Sequence, residues 1–370
     1  MVDFEKLAEM GHEEVVICNH PETGLRAIIA IHSTALGPAL GGCRMWAYDN
    51  FDEAMEDVLR LSRGMTYKAA VAGLNLGGGK AVIIGDSKTQ KTEALFRTFG
   101  RYVESLNGRY ITAEDVGTNV LDMEHVYRET SFVTGVLPVH GGSGDPSPFT
   151  AYGVRQGIRA SVKEKMGKDS IRGLKIAIQG LGNVGGHLAK LLIEDGCEIY
   201  ATDMNLERRD NLAKELGFTA VDPDQILSTD CDIFSPCALG GVVNDNTINK
   251  LKCQIVAGAA NNQLKEARHG DELEKQGILY APDYAINSGG LINVSLEMEG
   301  YSKERGYRLT GEIYNTMLKI YNIAKEEQIP TYAAADHLAE ERIRSLKAVQ
   351  SSRFFLQREN RWSLRGRSSH

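Results

Sequence analysis

Gly180-Leu181-Gly182-Asn183-Val184-Gly185 constrains this chain more than any other stretch, because its surroundings leave few ways to fold. The apolar run Leu174 to Gln179 precedes it and predicts a buried strand. After it, Val184, Leu188, Leu191 and Leu192 fall at helical spacing. Eighteen residues past Gly185, Asp203 closes a second strand-like run, Glu198 to Thr202. Strand, glycine turn, helix, strand and acid are the order of a dinucleotide site. The first glycine permits a tight turn, the second lets a pyrophosphate approach the backbone, and the third lets helix pack on strand. The helix N-terminus adds partial positive charge. Alone, a glycine turn of this kind says little; the elements on either side give it weight.

A chain of 370 residues exceeds what one hydrophobic core usually supports, so two domains are expected. At 42% hydrophobic and 25% charged it has the composition of a globular protein. A net charge of -7 argues against nucleic acid as the main partner. Six cysteines form no CxxC pair and read as reduced thiols, and the nine histidines do not cluster with them at metal-ligand spacing, so no metal is expected. Met1 to Glu14 is charged and resembles an amphipathic helix rather than a signal peptide. No uninterrupted apolar segment is long enough to cross a membrane. The expectation is a soluble, cytoplasmic protein. Near the end Arg353, Arg358, Arg361, Arg365 and Arg367 read as a tail or a subunit contact.

The Gly/Pro/Ser-rich stretch His140 to Pro148 predicts a hinge or boundary. Before it, Glu14 to Cys18, Leu25 to Ile31 and Ala81 to Ile84 predict strands, while Asp52 to Tyr67 and Thr92 to Leu106 predict helices. After it, Ala151 to Met166 predicts a helix. Short apolar strands recur at Ile233-Phe234, Ile255 to Ala257 and Ile278 to Ala281. Strands alternating with helical stretches indicate an α/β fold with a doubly wound parallel sheet. From Ser302 the pattern is helical, with Pro330 as a break. The expected domains are 1–140 and 141–330, with helices at about 331–370 packing back on the first.

Two lysines of the N-terminal half stand in unusual settings. Lys68 follows Ser62 to Tyr67, and Lys80 follows Gly77-Gly78-Gly79. Three glycines beside a lysine suggest a backbone that must come close to something small, although a flexible turn with a solvated lysine is the commoner explanation. A P-loop is rejected, because it needs glycine at Leu74 and Ser or Thr at Ala81. Asp115, in Ile111 to Gly117, stands next to Glu114 and on local grounds serves equally well as a turn cap. His12-Glu13-Glu14 lacks the second histidine of a zinc protease, and no GxSxG elbow is present. Asn293-Val294-Ser295 matches a glycosylation sequon, irrelevant in a cytoplasmic protein.

Together these segments resemble the amino-acid dehydrogenase family that includes glutamate, leucine, valine and phenylalanine dehydrogenases. The likeness runs from Leu36-Gly37-Pro38-Ala39-Leu40-Gly41-Gly42 to about Arg344. It is carried by Gly77 to Ala81, Ile111 to Gly117, Gly144 to Thr150 and Gly180 to Gly185, and extended by Cys237 to Gly241, Gly258 to Leu264 and Tyr280 to Val294. The resemblance implies a substrate-binding and oligomerisation domain followed, across a cleft, by a Rossmann-type NAD-binding domain. It implies Lys68 on the substrate carboxylate with help from Gly41 and Gly42, Lys80 as the base that activates water, and Asp115 holding the amino group and shuttling a proton. Leu40, Met65, Ala113, Leu291 and Val294 would surround the substrate. Gly180 to Gly185, Asp203 (on the adenine ribose), Thr150, Ala238 and Asn262 would bind NAD.

The implied reaction is reversible oxidative deamination of L-leucine and other branched-chain L-amino acids to 2-oxo acids, releasing ammonium and NADH. A homo-octamer is the implied assembly, with no nucleic acid or membrane. Cys43 stands where threonine is common, Asp145 where asparagine is common, and Leu291 where valine is common. These departures keep a phenylalanine- or valine-preferring enzyme open, with a non-catalytic nucleotide-binding regulator as a more distant alternative.

Overall fold

The structure, a computed structural model, describes residues 4–350. These divide into two compact units, one of residues 4–144, 294–301 and 339–350, the other of 145–293 and 302–338. The arginines at the chain end lie outside the described residues.

The first unit is built on a five-stranded sheet: β1 (Glu14–His20), β2 (Leu25–Ser33), β3 (Ala39–Trp46), β4 (Gly77–Ile84) and β5 (Tyr110–Glu114). In space the order is β1-β2-β4-β3-β5. β2 runs antiparallel to both β1 and β4, whereas β3 lies parallel to both β4 and β5. The near-continuous apolar run of β2 follows from burial on both faces. On one face Ile28, Ala30 and Val82 pack under α2 (Phe51–Val71), following the short α1 (Phe4–Met10). On the other, Ile29, Ile31, Cys43, Met45, Ala81 and Ile83 pack against α3 (Glu93–Ser105) and α4 (Val120–Tyr127). The period-2 alternation of a strand thus sorts even and odd positions of β2, β3 and β4 to opposite faces.

Helix α2 forms where the sequence predicts one. Asn50 caps its start by accepting a 2.9 Å bond from Glu53 N, and Ala54, Met55, Val58, Leu59, Ser62 and Thr66 make its buried stripe. β4 starts four residues earlier than its apolar pattern suggests, because Gly77, Gly78 and Gly79 are strand and not turn. β3 and β5 were visible only as glycine-rich and acidic motifs.

The second unit holds six parallel strands: β6 (Lys175–Gln179), β7 (Glu198–Thr202), β8 (Thr219–Ala220), β9 (Ile233–Pro236), β10 (Ile255–Val256) and β11 (Leu279–Tyr280). Their order is β11-β10-β9-β6-β7-β8. The chain runs outward from β6 to β8, returns to β9 beside β6, and continues the other way. That is the doubly wound Rossmann order, with its switch point between β6 and β9. The helices are α5 (Ser147–Met166), α6 (Asn183–Glu194), α7 (Leu206–Leu216), α8 (Arg268–Lys275), α9 (Asp283–Ile286), α10 (Gly289–Ser295), α11 (Lys303–Gly311), α12 (Ile313–Glu327) and α13 (Thr331–Gln350). α13 begins in the second unit and ends in the first. No helix among the described residues is long and apolar enough to cross a membrane.

Candidate active site

Parallel pairing in the first unit puts Leu40 opposite Gly78, Arg44 opposite Val82 and Gly42 opposite Ala113. Residues paired in this way share a face. Leu40, Gly42, Arg44, Ala113 and Lys80 therefore all look toward α2, the face on which Val82 is covered. Asp115 continues that face just past the end of β5.

The three glycines before Lys80 are explained by crowding. A Cβ on Gly77 would lie 1.9 Å from the Ser33 carbonyl oxygen, one on Gly78 2.0 Å from Thr66 N of α2, and one on Gly79 2.7 Å from the Tyr110 ring. What approaches this backbone closely is therefore the protein itself and not the small partner expected from the sequence. Gly41 and Gly42 obey the same constraint: added Cβ atoms would lie 1.7 Å from the Gly79 oxygen and 2.4 Å from the Glu114 oxygen. The Gly41 carbonyl accepts the Tyr110 hydroxyl at 2.6 Å.

Lys80 is buried, its side chain 6% exposed, and its Nζ lies 3.0 Å from Asp115 Oδ2. Arg44 Nε donates to the same oxygen at 3.1 Å, and Arg44 Nη1 reaches Asp57 Oδ2 of α2 at 2.8 Å. Asp57 also accepts from the Tyr48 hydroxyl at 2.7 Å and from Arg60 at 2.9 Å. Burial disfavours the Asp115 carboxylate, but Lys80 and then Arg44 outweigh it and hold its pKa below the usual carboxylate value. Asp115 does not cap its turn. That is done by Thr118, whose hydroxyl accepts from Asp115 N at 2.9 Å and donates to the Cys43 carbonyl at 2.8 Å.

α2 brings the remaining candidates of this unit. Met65 lies over Gly41, where a Cβ would meet Met65 Cγ at 3.4 Å. Lys68 is half-buried near the helix end. It falls eleven residues after Asp57, three helical turns, and so on the same side of the helix. Leu40 is buried, while Ala113 and Val294 are half-buried. The segment carrying Val294 is tied into the first unit by Glu297, which accepts bonds from Gly135 N at 3.0 Å and Ser143 N at 2.8 Å. Leu291, half-buried, belongs to the second unit.

In that unit the motif glycines are distinguished by what surrounds them. Gly180 adopts a φ of 101°, a left-handed value that glycine tolerates. A Cβ on Gly185 would sit 1.9 Å from the Gly180 oxygen, so α6 rests directly on the turn. Around Gly182 nothing lies within 4 Å of a built Cβ, which leaves room for a ligand at the N-terminus of α6. Leu181 N donates to Asp203 Oδ2 at 2.8 Å and Asn205 N to Oδ1 at 2.8 Å, so the acid at the end of β7 braces the glycine turn. Ala238 lies against Gly180 across the switch point. Asn262 takes a φ of 52° and its carbonyl accepts Gly241 N at 2.7 Å. Thr150 Oγ1 would meet a Cβ on Gly290 at 2.6 Å.

Sequence reading passed over Arg44, Asp57 and Tyr48, which hold Asp115 from behind, and Asn287, which steadies the loop before Asn262 by donating to Asn261 Oδ1 at 2.7 Å and the Ala259 carbonyl at 3.0 Å. The one available signal for Arg44 was a charge inside an apolar strand. Asp245, His269 and Glu272 also bring ligand-type atoms within 4.8 Å of one another, but the Arg268 guanidinium bridges Asp245 and Glu272.

Residues 12–132 match the model of the Glu/Leu/Phe/Val dehydrogenase dimerisation domain, and residues 141–205 and 203–350 match that of Glutamate/Leucine/Phenylalanine/Valine dehydrogenase. The chain belongs to the Glu/Leu/Phe/Val dehydrogenase family. It is an amino-acid dehydrogenase, an oxidoreductase. Leucine dehydrogenase of Geobacillus stearothermophilus is 55% identical over 94% of this chain and 95% of its own length. Phenylalanine dehydrogenase of Bacillus thermotolerans is 50% identical over 92% and 90%. Among solved structures, L-tryptophan dehydrogenase from Nostoc punctiforme matches with a TM-score of 0.83 and 46% identity, covering 93% of this chain and 99% of that one. For this dehydrogenase family the two units are the two α/β domains expected from sequence.

Proposed function

We propose that this dehydrogenase deaminates L-leucine first, and valine and isoleucine next, to the 2-oxo acids with NAD as oxidant. The observation that carries the reading is buried Lys80 held 3.0 Å from Asp115 on a strand face lined by apolar and glycine residues. A binding protein needs no such pair. The relatives named leucine dehydrogenase, 53–56% identical, support leucine over phenylalanine.

Bound NAD supplies the hydride acceptor at the substrate α-carbon. The residues of the second unit fit it: open space at Gly182, a helix N-terminus, and an acid at Asp203 suited to a ribose diol and repellent to a 2′-phosphate. Lys68 neutralises the substrate carboxylate, with the Gly41-Gly42 backbone beside it. Asp115 takes the amino group and hands on its proton. As the neutral amine, Lys80 removes a proton from the water that attacks the iminium carbon, and the carbinolamine then collapses to 2-oxo acid and ammonium.

In the first unit Leu40, Met65, Ala113 and Val294 offer apolar side chains without a charged partner for the substrate side chain. Glutamate, whose second carboxylate would be desolvated without compensation, is excluded. The Ala113 methyl favours a branched aliphatic chain over a phenyl ring. Leu291, one methylene larger than the usual valine, is the feature that favours a phenylalanine-preferring second reading. A methylene changes discrimination by only roughly 1–3 kcal/mol, so the preference is graded. NADH absorbance with a panel of L-amino acids tests this: leucine should give the highest kcat/KM, and a higher value for phenylalanine overturns the substrate while leaving the reaction. We further read the enzyme as cytoplasmic, supported by six free thiols, and as a homo-octamer, for which sedimentation should give the mass of eight chains.

A further inference from the structure

Arg44 has no part in the chemistry proposed above, yet its setting is specific. Its side chain, 22% exposed, joins two carboxylates from different elements: Nε to Asp115 after β5, Nη1 to Asp57 of α2. Lys80 and Arg44 both address Oδ2 of Asp115, and Oδ1 takes no hydrogen bond or ion pair from a described residue. We propose that Arg44 is the positioning residue of the deamination site, fixing Asp115 Oδ2 and thereby turning Oδ1 toward the substrate's amino group. The proposal rests on the roles assigned to Lys80 and Asp115.

Of the two cations beside Asp115, only Arg44 carries a permanent charge. A lysine must be neutral before it can act as base, and in that state the half-buried carboxylate beside it lacks its charged partner. A guanidinium keeps its charge at every working pH. Arg44 therefore holds Asp115 ionised while Lys80 changes state. Its fork is fixed from behind, since Asp57 is itself held by Tyr48 and Arg60. A lysine at 44 would keep the charge but not span both carboxylates.

The ionisable groups that face Asp115 are Lys80 of β4 and Arg44 of β3, and the buried Cys43 of β3 and Tyr110 of β5 act on it from the other side of the sheet. Behind Arg44 stand Asp57 of α2 and Tyr48, and α2 also carries Lys68. Burial pushes Cys43 and Tyr110 well above their ordinary values, so neither changes charge near neutrality. Burial raises the Asp115 pKa, and Lys80 and then Arg44 outweigh it and hold it low. Removing the Arg44 cation eases protonation of Asp115, so the acid limb of the pH–rate profile moves to higher pH.

The test is the pH dependence of kcat/KM for L-leucine, with melting temperature and NAD affinity measured alongside. Arg44→Gln should move the acid limb up by roughly one pH unit and lower kcat at least about tenfold, with NAD affinity unchanged. Arg44→Lys should return the limb to within half a unit of wild type while kcat stays low. An acid limb unmoved in folded Arg44→Gln overturns the proposal. If Arg44→Gln does not fold, Arg44→Lys decides: wild-type kcat overturns the proposal, and a low kcat with the limb in place supports it. Asp115→Asn separates this from the reading beneath it. An active Asp115→Asn enzyme removes the Asp115 assignment itself, whereas an inactive one beside an unaffected Arg44→Gln sinks only the role of Arg44.

Discussion

Asp115 occupies the space left by the missing side chain of Gly42: a Cβ built there would lie 2.9 Å from the Asp115 Cβ and 2.4 Å from the Glu114 carbonyl oxygen. Neither atom is the flexible end of a side chain, so Gly42→Ala must displace the backbone that aims the carboxylate at Lys80. A misplacement of about 1 Å costs on the order of a hundredfold in rate. Gly42→Ala should lose that much in kcat/KM while titrating NAD normally. Full activity would show that the carboxylate position is not critical.

Lys80→Ala removes the amine proposed to activate water. Turnover should drop by roughly 10²–10⁴, with NAD binding intact by fluorescence titration. Lys68→Ala should instead raise KM for the amino acid strongly, and ordinary saturation in that variant would end its carboxylate role.

Two glycines three residues apart should behave oppositely. Gly185→Ala drives a methyl into the Gly180 oxygen, 1.9 Å away, and should destabilise the protein by roughly 1–3 kcal/mol in denaturant unfolding. Gly182→Ala meets nothing within 4 Å and has ordinary φ/ψ, so melting should hold while NAD binds more weakly. Equal destabilisation by both would mean that the motif is purely structural.

Cofactor choice should follow Asp203. Arg209, a candidate partner for a 2′-phosphate, is already committed to Asp210 at 2.8 Å and Asp222 at 3.3 Å, whereas Arg208 stands 3.8 Å from Asp203. NAD should be used in preference to NADP, and Asp203→Ser should narrow the difference. Equal kcat/KM for both cofactors in the wild type would contradict the assignment.

His32 is buried against His12, ring centroids 4.9 Å apart, and bonds Thr66 Oγ1 of α2 at 2.8 Å. Burial, then His12 and Arg63, lower its pKa to about 4. The unfolded chain binds the proton first as pH falls, so stability holds above about 6.5 and declines between there and about 4. The loss is on the order of a few kcal/mol. Urea unfolding at pH 7 and 4.5 measures it, and His32→Asn should flatten the difference.

The dinucleotide unit was legible because its signals are local. A strand, a left-handed Gly180, a helix that must touch the turn and an acid closing the next strand lie within 30 residues, each imposed by the backbone beside it. The helical stripe of α2 and the apolar run of β2 announce themselves in the same way. Gly77 to Gly79 and Asp115 were different. Their local patterns fit a loose turn and a cap equally well, and the family resemblance, not the spacing, pointed to chemistry.

Tertiary structure decided those cases, because what settles them comes from far along the chain. The glycines of β4 are required by Ser33, Thr66 and Tyr110, and Asp115 is held by residues 35 and 71 positions away. A strand pattern records which face a residue takes, not which neighbours that face will meet. Pairing β3 between β4 and β5 puts Gly42, Arg44 and Lys80 together, and only then does an arginine in an apolar strand acquire a partner. The sequence by itself determined the family, the dinucleotide unit, the stripe of α2 and the run of β2; the register between strands determined the charge network at Asp115, since Coulomb and contact terms act on distance in space and not along the chain.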